Sequence, residues 1–105
     1  MSCSRNDVIL LPVPFSDLSS HNVRPAVVVG SEPRHGDLFI VPITSQLANA
    51  DVPLADWQLA GLYVACGIKA QFATVEARLV RRKIGRLTQR DRHVLDERIR
   101  EWLRL

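Results

Sequence analysis

The chain is poor in the side chains that hold metals or staple folds, and the few it has are badly placed for either task. Its two cysteines are Cys3, in an N-terminus expected to fray, and Cys66, in an apolar segment. They form neither a CxxC pair nor a disulfide framework, so both are expected as reduced thiols. The three histidines, at 21, 35 and 93, have no HxxxH spacing and no Cys/His cluster of the kind a tetrahedral zinc site needs, and no metal or other cofactor is expected. There is no apolar run long enough to cross a bilayer, no secretory leader, no internal repeat and no low-complexity linker. A single domain spanning 1–105, cytoplasmic and without membrane contact, is the expectation. With 47% of its 105 residues hydrophobic, the chain has material for one modest core. Domains this small often complete their burial against another chain, so a homodimer is expected.

Acidic residues are scarce in the last quarter. Residues 1–77 carry four Lys/Arg against seven Asp/Glu, whereas residues 78–105 carry ten against four, so the halves stand at −3 and +6. Arg78, Arg81, Arg82, Lys83, Arg86, Arg90 and Arg92 make up most of that excess. Such a density suits contacts to a phosphodiester backbone or an acidic peptide, and equally a solvated strand edge and helix start.

What the chain does have is a pair of apolar segments, RPAVVVG (Arg24 to Gly30) and DLFIVPITS (Asp37 to Ser45), that read as the arms of one hairpin. A turn over Glu32, Pro33, Arg34, His35 and Gly36 makes the numbers of paired residues sum to 68, which sets Val28 against Ile40, Ala26 against Pro42 and Arg24 against Thr44. A bulge would shift this register by one and swap the faces. Arg24 precedes a proline, which holds it extended at the mouth of its strand. A guanidinium facing a hydroxyl across roughly 5 Å could grip a phosphate or another small oxyanion. The same two residues could also be a solvated strand end without chemistry, and residue types alone leave both readings open. The arms are apolar at almost every position rather than alternating, which predicts a sheet covered on both faces.

Elsewhere, Asp7 to Val13 reads as a first strand, with Pro12 pointing to an edge position or a bulge. Pro14 to Val23 reads as a polar loop delivering the chain to Arg24. Val52 to Trp57 is expected to be a short extended segment, Asp56 to Leu62 a turn, and Ile68 to Phe72 a strand followed by a short helical or bent piece near Glu76 to Arg82. Gly85 is expected to form the turn into a C-terminal helix. That helix is predicted from Thr88 and Asp91, spaced as a capping box, and from the stripe Val94, Leu95, Ile99, Trp102 and Leu103.

Taken in order, DVILLPVPFSDL, RPAVVV, VPITS, DWQLAGL and RRKIGRLTQRD resemble the MazF/PemK family of bacterial toxins from type II toxin–antitoxin pairs, its PemK-like branch especially. The resemblance covers nearly the whole chain. It implies a mainly β fold, a small twisted antiparallel SH3-like barrel with a C-terminal helix, assembled as a homodimer. It further implies a metal-independent endoribonuclease that cuts single-stranded RNA and is neutralised by an antitoxin protein. The family's catalytic arginine and threonine correspond to Arg24 of the RP motif and Thr44 of the PITS motif. Asp17, His21, Ser45, Gln71 and Arg81 are the further candidates for RNA contact. Three departures stand out. A glycine usual before the first strand is Asn6, the GxEQ signature is replaced by SDLSSHN, and Ala73 occupies the arginine position of a Q-x-R-T segment.

Metal-free RNA cleavage proceeds by attack of a 2′-hydroxyl on the adjacent phosphate, leaving a 2′,3′-cyclic phosphate and a 5′-hydroxyl. Arg24 would stabilise the charge gathering on the phosphate oxygens, and Thr44 would donate a hydrogen bond to the phosphate or orient the sugar. His21, three residues from Arg24 and with an ordinary pKa near 6.5, is a candidate for proton transfer, and equally a solvated loop residue. Asp17 is a weaker candidate that also suits a turn. The rival readings are a protein-binding toxin of the same fold type, such as one that poisons DNA gyrase, and an inert RNA-binding module.

Overall fold

The computed structural model describes residues 2–12 and 23–105. Seven antiparallel strands and one helix follow in chain order: β1 (Asp7–Pro12), β2 (Val23–Ser31), β3 (Leu38–Thr44), β4 (Val52–Pro53), β5 (Gly67–Ile68), β6 (Ala73–Val75), β7 (Arg82–Arg86) and α1 (Gln89–Leu103). The sheet runs β4-β5-β3-β2-β1-β7, and β6 pairs with β3 beside β5. This is the mainly β architecture with a C-terminal helix that the resemblance implies.

The β2–β3 hairpin holds the expected register where it matters. Ala26 pairs with Pro42, Val27 with Val41 and Val28 with Ile40, while nearer the turn Gly30 pairs with Phe39 and Ser31 with Leu38. A bulge between Val28 and Gly30 therefore takes up the odd residue of the turn before the chain reaches the open end. Glu32 organises the turn: its carboxylate accepts from the N–H groups of Arg34 and His35, and its backbone N–H donates to the Asp37 carbonyl.

Both faces of the sheet are covered, as the unbroken apolar arms require. Val8, Val27, Val41 and Ile43 point to one side, where they meet Leu54, Ala60, Leu62, Leu87 and, from the helix, Leu95 and Ile99. Their neighbours Ile9, Leu11, Ala26, Val28 and Ile40 point to the other side and pack with Leu38 and Val75. The period of two along each strand sorts the residues into these two cores. Cys3, expected in a frayed N-terminus, instead packs against the second core.

Several expectations are corrected. Of the two readings of Pro12, the edge position fails, since β1 lies between β2 and β7, while the β1–β7 ladder does carry a bulge, away from the proline between Val8 and Ile9. Pro12 is tolerated because β7 pairing ends at Leu10, two residues short of the proline. The extended segment at Val52 stops at Pro53, since the chain turns from Ala55 onward. Of the strand expected over Ile68 to Phe72 only Ile68 is extended in the sheet, as the last residue of β5, and β6 begins beyond it at Ala73. The bent piece near Glu76 gives a 3₁₀ turn over Ala77–Leu79, after which Arg82–Arg86 forms β7, a strand its charged sequence does not announce. Gly85 lies inside that strand rather than in a turn. A Cβ there would stand 2.3 Å from the Ala60 carbonyl oxygen, and one on Gly61 would stand 2.1 Å from that of Ile84. Only two glycines let the 55–61 turn and β7 touch backbone to backbone.

Asp91 also departs from its expected role. Thr88 is the N-cap and its Oγ1 accepts from the Asp91 N–H, but the Asp91 carboxylate does not return to the cap. It is 3% exposed and accepts from the backbone N–H groups of Ala55 at 2.9 Å and Asp56 at 2.8 Å. The helix start thereby holds the turn that follows β4. At the other end of the sheet, the buried Asp7 lies 3.3 Å from Lys83 and 3.4 Å from Arg86, fastening β1 to β7 by charge as well as by hydrogen bonds. Asn6 before it has φ 76°, which accounts for glycine being usual at that place, and its Oδ1 is buried without a partner among the described residues.

Asp91→Ala removes two charge-assisted hydrogen bonds to part-buried N–H groups and is expected to cost about 2 kcal/mol, with Asp91→Asn costing about half as much, by denaturant unfolding. Asn6→Ala is expected to destabilise by about 1 kcal/mol through its left-handed backbone. Asn6→Gly, which relieves both that conformation and the unpaired oxygen, is expected to be at least as stable as the wild type in the same assay.

Candidate functional site

A groove of about 650 Å³ opens at the end of the sheet where β2 begins and β3 ends. Arg24 enters it from the mouth of β2, and Thr44 and Ser45 from the end of β3. The last paired residues before the groove are Ala26 and Pro42. The ladder ends there, two residues short of the Arg24–Thr44 pair expected from the sequence, and both of these residues line the groove. On the far side of β1, Leu10 pairs with both Pro25 and Arg82, so Arg82 reaches the same groove from β7, about two strand spacings or ~10 Å of backbone from β2.

Thr44 is held by its own loop. Its Oγ1 accepts from the Gln46 N–H at 3.0 Å, which fixes the hydroxyl and leaves its proton to donate into the groove. Lys69 and Gln71 come from the segment after β5, where the Lys69 N–H donates to the Pro42 carbonyl and ties that segment to β3. Leu62, Tyr63 and Val64 form another wall. This wall follows the turn that Asp91 and the paired glycines hold in place. Asp56 in that turn accepts from Thr88 Oγ1 at 2.6 Å and pairs with Arg90, so the wall is tied to the helix start by side chains as well.

Among the described residues lining the groove are three cations, Arg24, Lys69 and Arg82, and no carboxylate or imidazole. Cys66 lies in it as a neutral thiol: burial raises its pKa above the ordinary 9.0, and its Sγ donates to the Val64 carbonyl at 3.2 Å. It is therefore a packing group rather than a nucleophile. The site offers positive charge, the oriented Thr44 hydroxyl and the polar side chains of Ser45, Gln46, Gln71 and Tyr63 around a space that suits an extended anion.

Of the residues picked from the sequence, Arg24, Thr44, Ser45 and Gln71 converge on this groove. Arg81 does not line it: its N–H donates to the Leu10 carbonyl, and the next residue, Arg82, takes the place. Asp17 and His21 lie outside the described residues. Ala73, at the family's arginine position, packs against the second core and lies outside the groove. The basic cluster proves to be divided. Lys83 and Arg86 pair with Asp7, Arg78 with Glu76 and Arg90 with Asp56, which leaves Arg82 as its contribution to the groove. Lys69 and Tyr63 were not singled out from the sequence, and Arg82 was named there only as one of the basic cluster. Arg82 could have been found only by recognising β7 and its register with β1.

The family model for PemK-like, MazF-like toxins of type II toxin–antitoxin systems matches residues 4–103 of the chain. No curated protein matches it.

The Asp56 carboxyl is held below its ordinary value of 3.8, first by the Arg90 hydrogen bond and then by that of Thr88. A carboxyl lowered on folding stabilises the fold while it is ionised, and this contribution fades as the pH falls from the unfolded value through the lower folded one. Melting temperature is expected to drop below about pH 4. Asp56→Asn is expected to make that decline shallower, in thermal melts run from neutral pH into acid.

Proposed function

The chain belongs to the PemK-like, MazF-like toxins of type II toxin–antitoxin systems, and within that family we propose that it is a metal-independent endoribonuclease acting on single-stranded RNA. The observation that carries this reading is the meeting of Arg24 and Thr44 in one groove whose other described charged residues are Lys69 and Arg82. The family brings with it an antitoxin protein as partner.

In the proposed reaction the 2′-oxygen of one nucleotide forms a bond to the adjacent phosphorus as the bond from phosphorus to the 5′-oxygen breaks. The products are a 2′,3′-cyclic phosphate and a 5′-hydroxyl. Charge grows on the non-bridging oxygens in the transition state, where the planar fork of Arg24 binds them more tightly than in the ground state. Thr44 donates its oriented hydroxyl to the same phosphate. Lys69 and Arg82 neutralise flanking phosphates and hold the strand in register. His21 is the proposed carrier for the proton that leaves the 2′-hydroxyl, on the strength of its place three residues before Arg24 and of the proton-carrying chemistry of imidazole, with the departing 5′-oxygen taking its proton from solvent.

We also propose that the protein acts as a homodimer. Phe39, Phe72, Leu103 and Leu105 remain exposed around a second groove, on a chain too small to bury all its apolar surface alone. Light scattering at micromolar concentration is expected to give twice the chain mass, and a monomer would contradict this.

Arg24→Ala is expected to lower the cleavage rate of a single-stranded transcript in EDTA by about 10²- to 10³-fold, with an unchanged circular dichroism spectrum. Arg24→Lys is expected to fail nearly as badly, because an ammonium cannot reproduce the fork. Thr44→Ala is expected to be slower yet active, a neutral hydrogen bond being weaker than a charge-assisted one. Full activity of Arg24→Ala would overturn the assignment. A wild-type protein that cuts none of several long transcripts would favour a toxin acting by protein contact.

A further inference from the structure

Tyr63 is 94% exposed, the most exposed large hydrophobic side chain of the described residues, yet the chain is anchored on either side of it. Leu62 before it is buried and its N–H donates to the Trp57 carbonyl at 3.1 Å. Cys66 after it is buried and donates to the Val64 carbonyl. A ring fixed at its base and bare on its surface contributes little to the core. It stands on the wall of the groove that Arg24, Lys69 and Arg82 make positive.

The geometry points to Tyr63 as the base-stacking platform of this groove: the ring receives one face of an RNA base while Lys69 and Arg82 hold the phosphates of the same strand. This rests on the proposed action on RNA. A single-stranded nucleic acid offers a phosphate and an unstacked π-face at every step, and proteins that hold such strands pair a cationic track with aromatic platforms. An apolar peptide would satisfy the ring but not the cations, and an acidic peptide would satisfy the cations but not the ring. Stacking is indifferent to salt, whereas each phosphate contact releases counterions and adds to the salt dependence of binding. The two contributions are therefore separable in one titration series.

The test uses the full chain and a fluorescein-labelled 2′-O-methyl oligoribonucleotide of mixed sequence, which cannot be cut by 2′-hydroxyl attack, titrated by anisotropy at several salt concentrations. Tyr63→Ala is expected to weaken binding about tenfold without changing the slope of log Kd against log salt. Tyr63→Phe, which keeps the π-face, is expected to bind like the wild type. Lys69→Gln and Arg82→Gln are each expected to flatten the slope by about 0.7. Wild-type affinity in Tyr63→Ala, a loss as large in Tyr63→Phe, or a changed slope in Tyr63→Ala would overturn the inference. So would a Tyr63→Ala protein that keeps its RNA affinity and loses its antitoxin. Failure of the wild type to cleave transcripts while these binding results hold would instead count against the nuclease reading alone.

Discussion

Asp91 gives its two carboxylate oxygens to two successive backbone N–H groups, those of Ala55 and Asp56, and the groove depends on that grip. The 55–61 turn is not part of any strand. Without the carboxylate its first two N–H groups, part-buried beside the helix start, would lose a charged acceptor, at a cost of about 1 kcal/mol each. Held there, the turn presses Gly61 against the backbone of β7 and continues into Leu62, Tyr63 and Val64. The C-terminal helix is thus coupled to a wall of the candidate active site although only its first turn approaches that region. Burial of Leu95 and Ile99 in the first core, worth about 1.5–3 kcal/mol apiece, fixes the helix that carries the carboxylate.

Charge is distributed by the same economy. Seven cations crowded into fifteen residues look like one binding surface in the sequence, but the fold assigns most of them to acids. Asp7, buried to 1% exposure, takes two of them and locks β1 to β7. Asp56 takes another and steadies the turn. Arg82, between these structural pairs, is the one delivered to the groove, where it joins Lys69 from a distant segment and Arg24 from the hairpin. Three cations in a cleft with no carboxylate among its described residues favour an anion as ligand there.

The hairpin and the helix were legible in the sequence because their signals are local. A five-residue turn and a proline after Arg24 determine the register and the extended arginine, and the one uncertainty, a bulge, falls on the turn side of the site at Val29. The helix stripe is read directly from spacing, with Leu95 and Ile99 buried and Leu103 left outside. β7 was not legible, because RRKIGR has the composition of a surface coil and becomes a strand through Asp7 and the β1 ladder, more than seventy residues away. Gly85 misled for the same reason: its lack of a side chain serves a close approach by Ala60, which no neighbouring residue reveals. Asp91 has the spacing of a capping box, yet its partners lie 35 and 36 positions away. Tyr63 gave no signal at all, since its exposure follows from how Leu62 and Cys66 are anchored on either side.

The central claim is that Arg24 and Thr44 assist an internal transfer at phosphorus rather than hydrolysis by water. The most direct test is end-group analysis of the fragments that the wild-type protein makes from a single-stranded transcript in the presence of a chelator. The account predicts 5′-hydroxyl ends that a kinase labels without prior phosphatase treatment, facing 2′,3′-cyclic phosphates, and no cut at a linkage whose 2′-hydroxyl is replaced by hydrogen. Fragments bearing 5′-phosphates, or cleavage at the 2′-deoxy linkage, would contradict it.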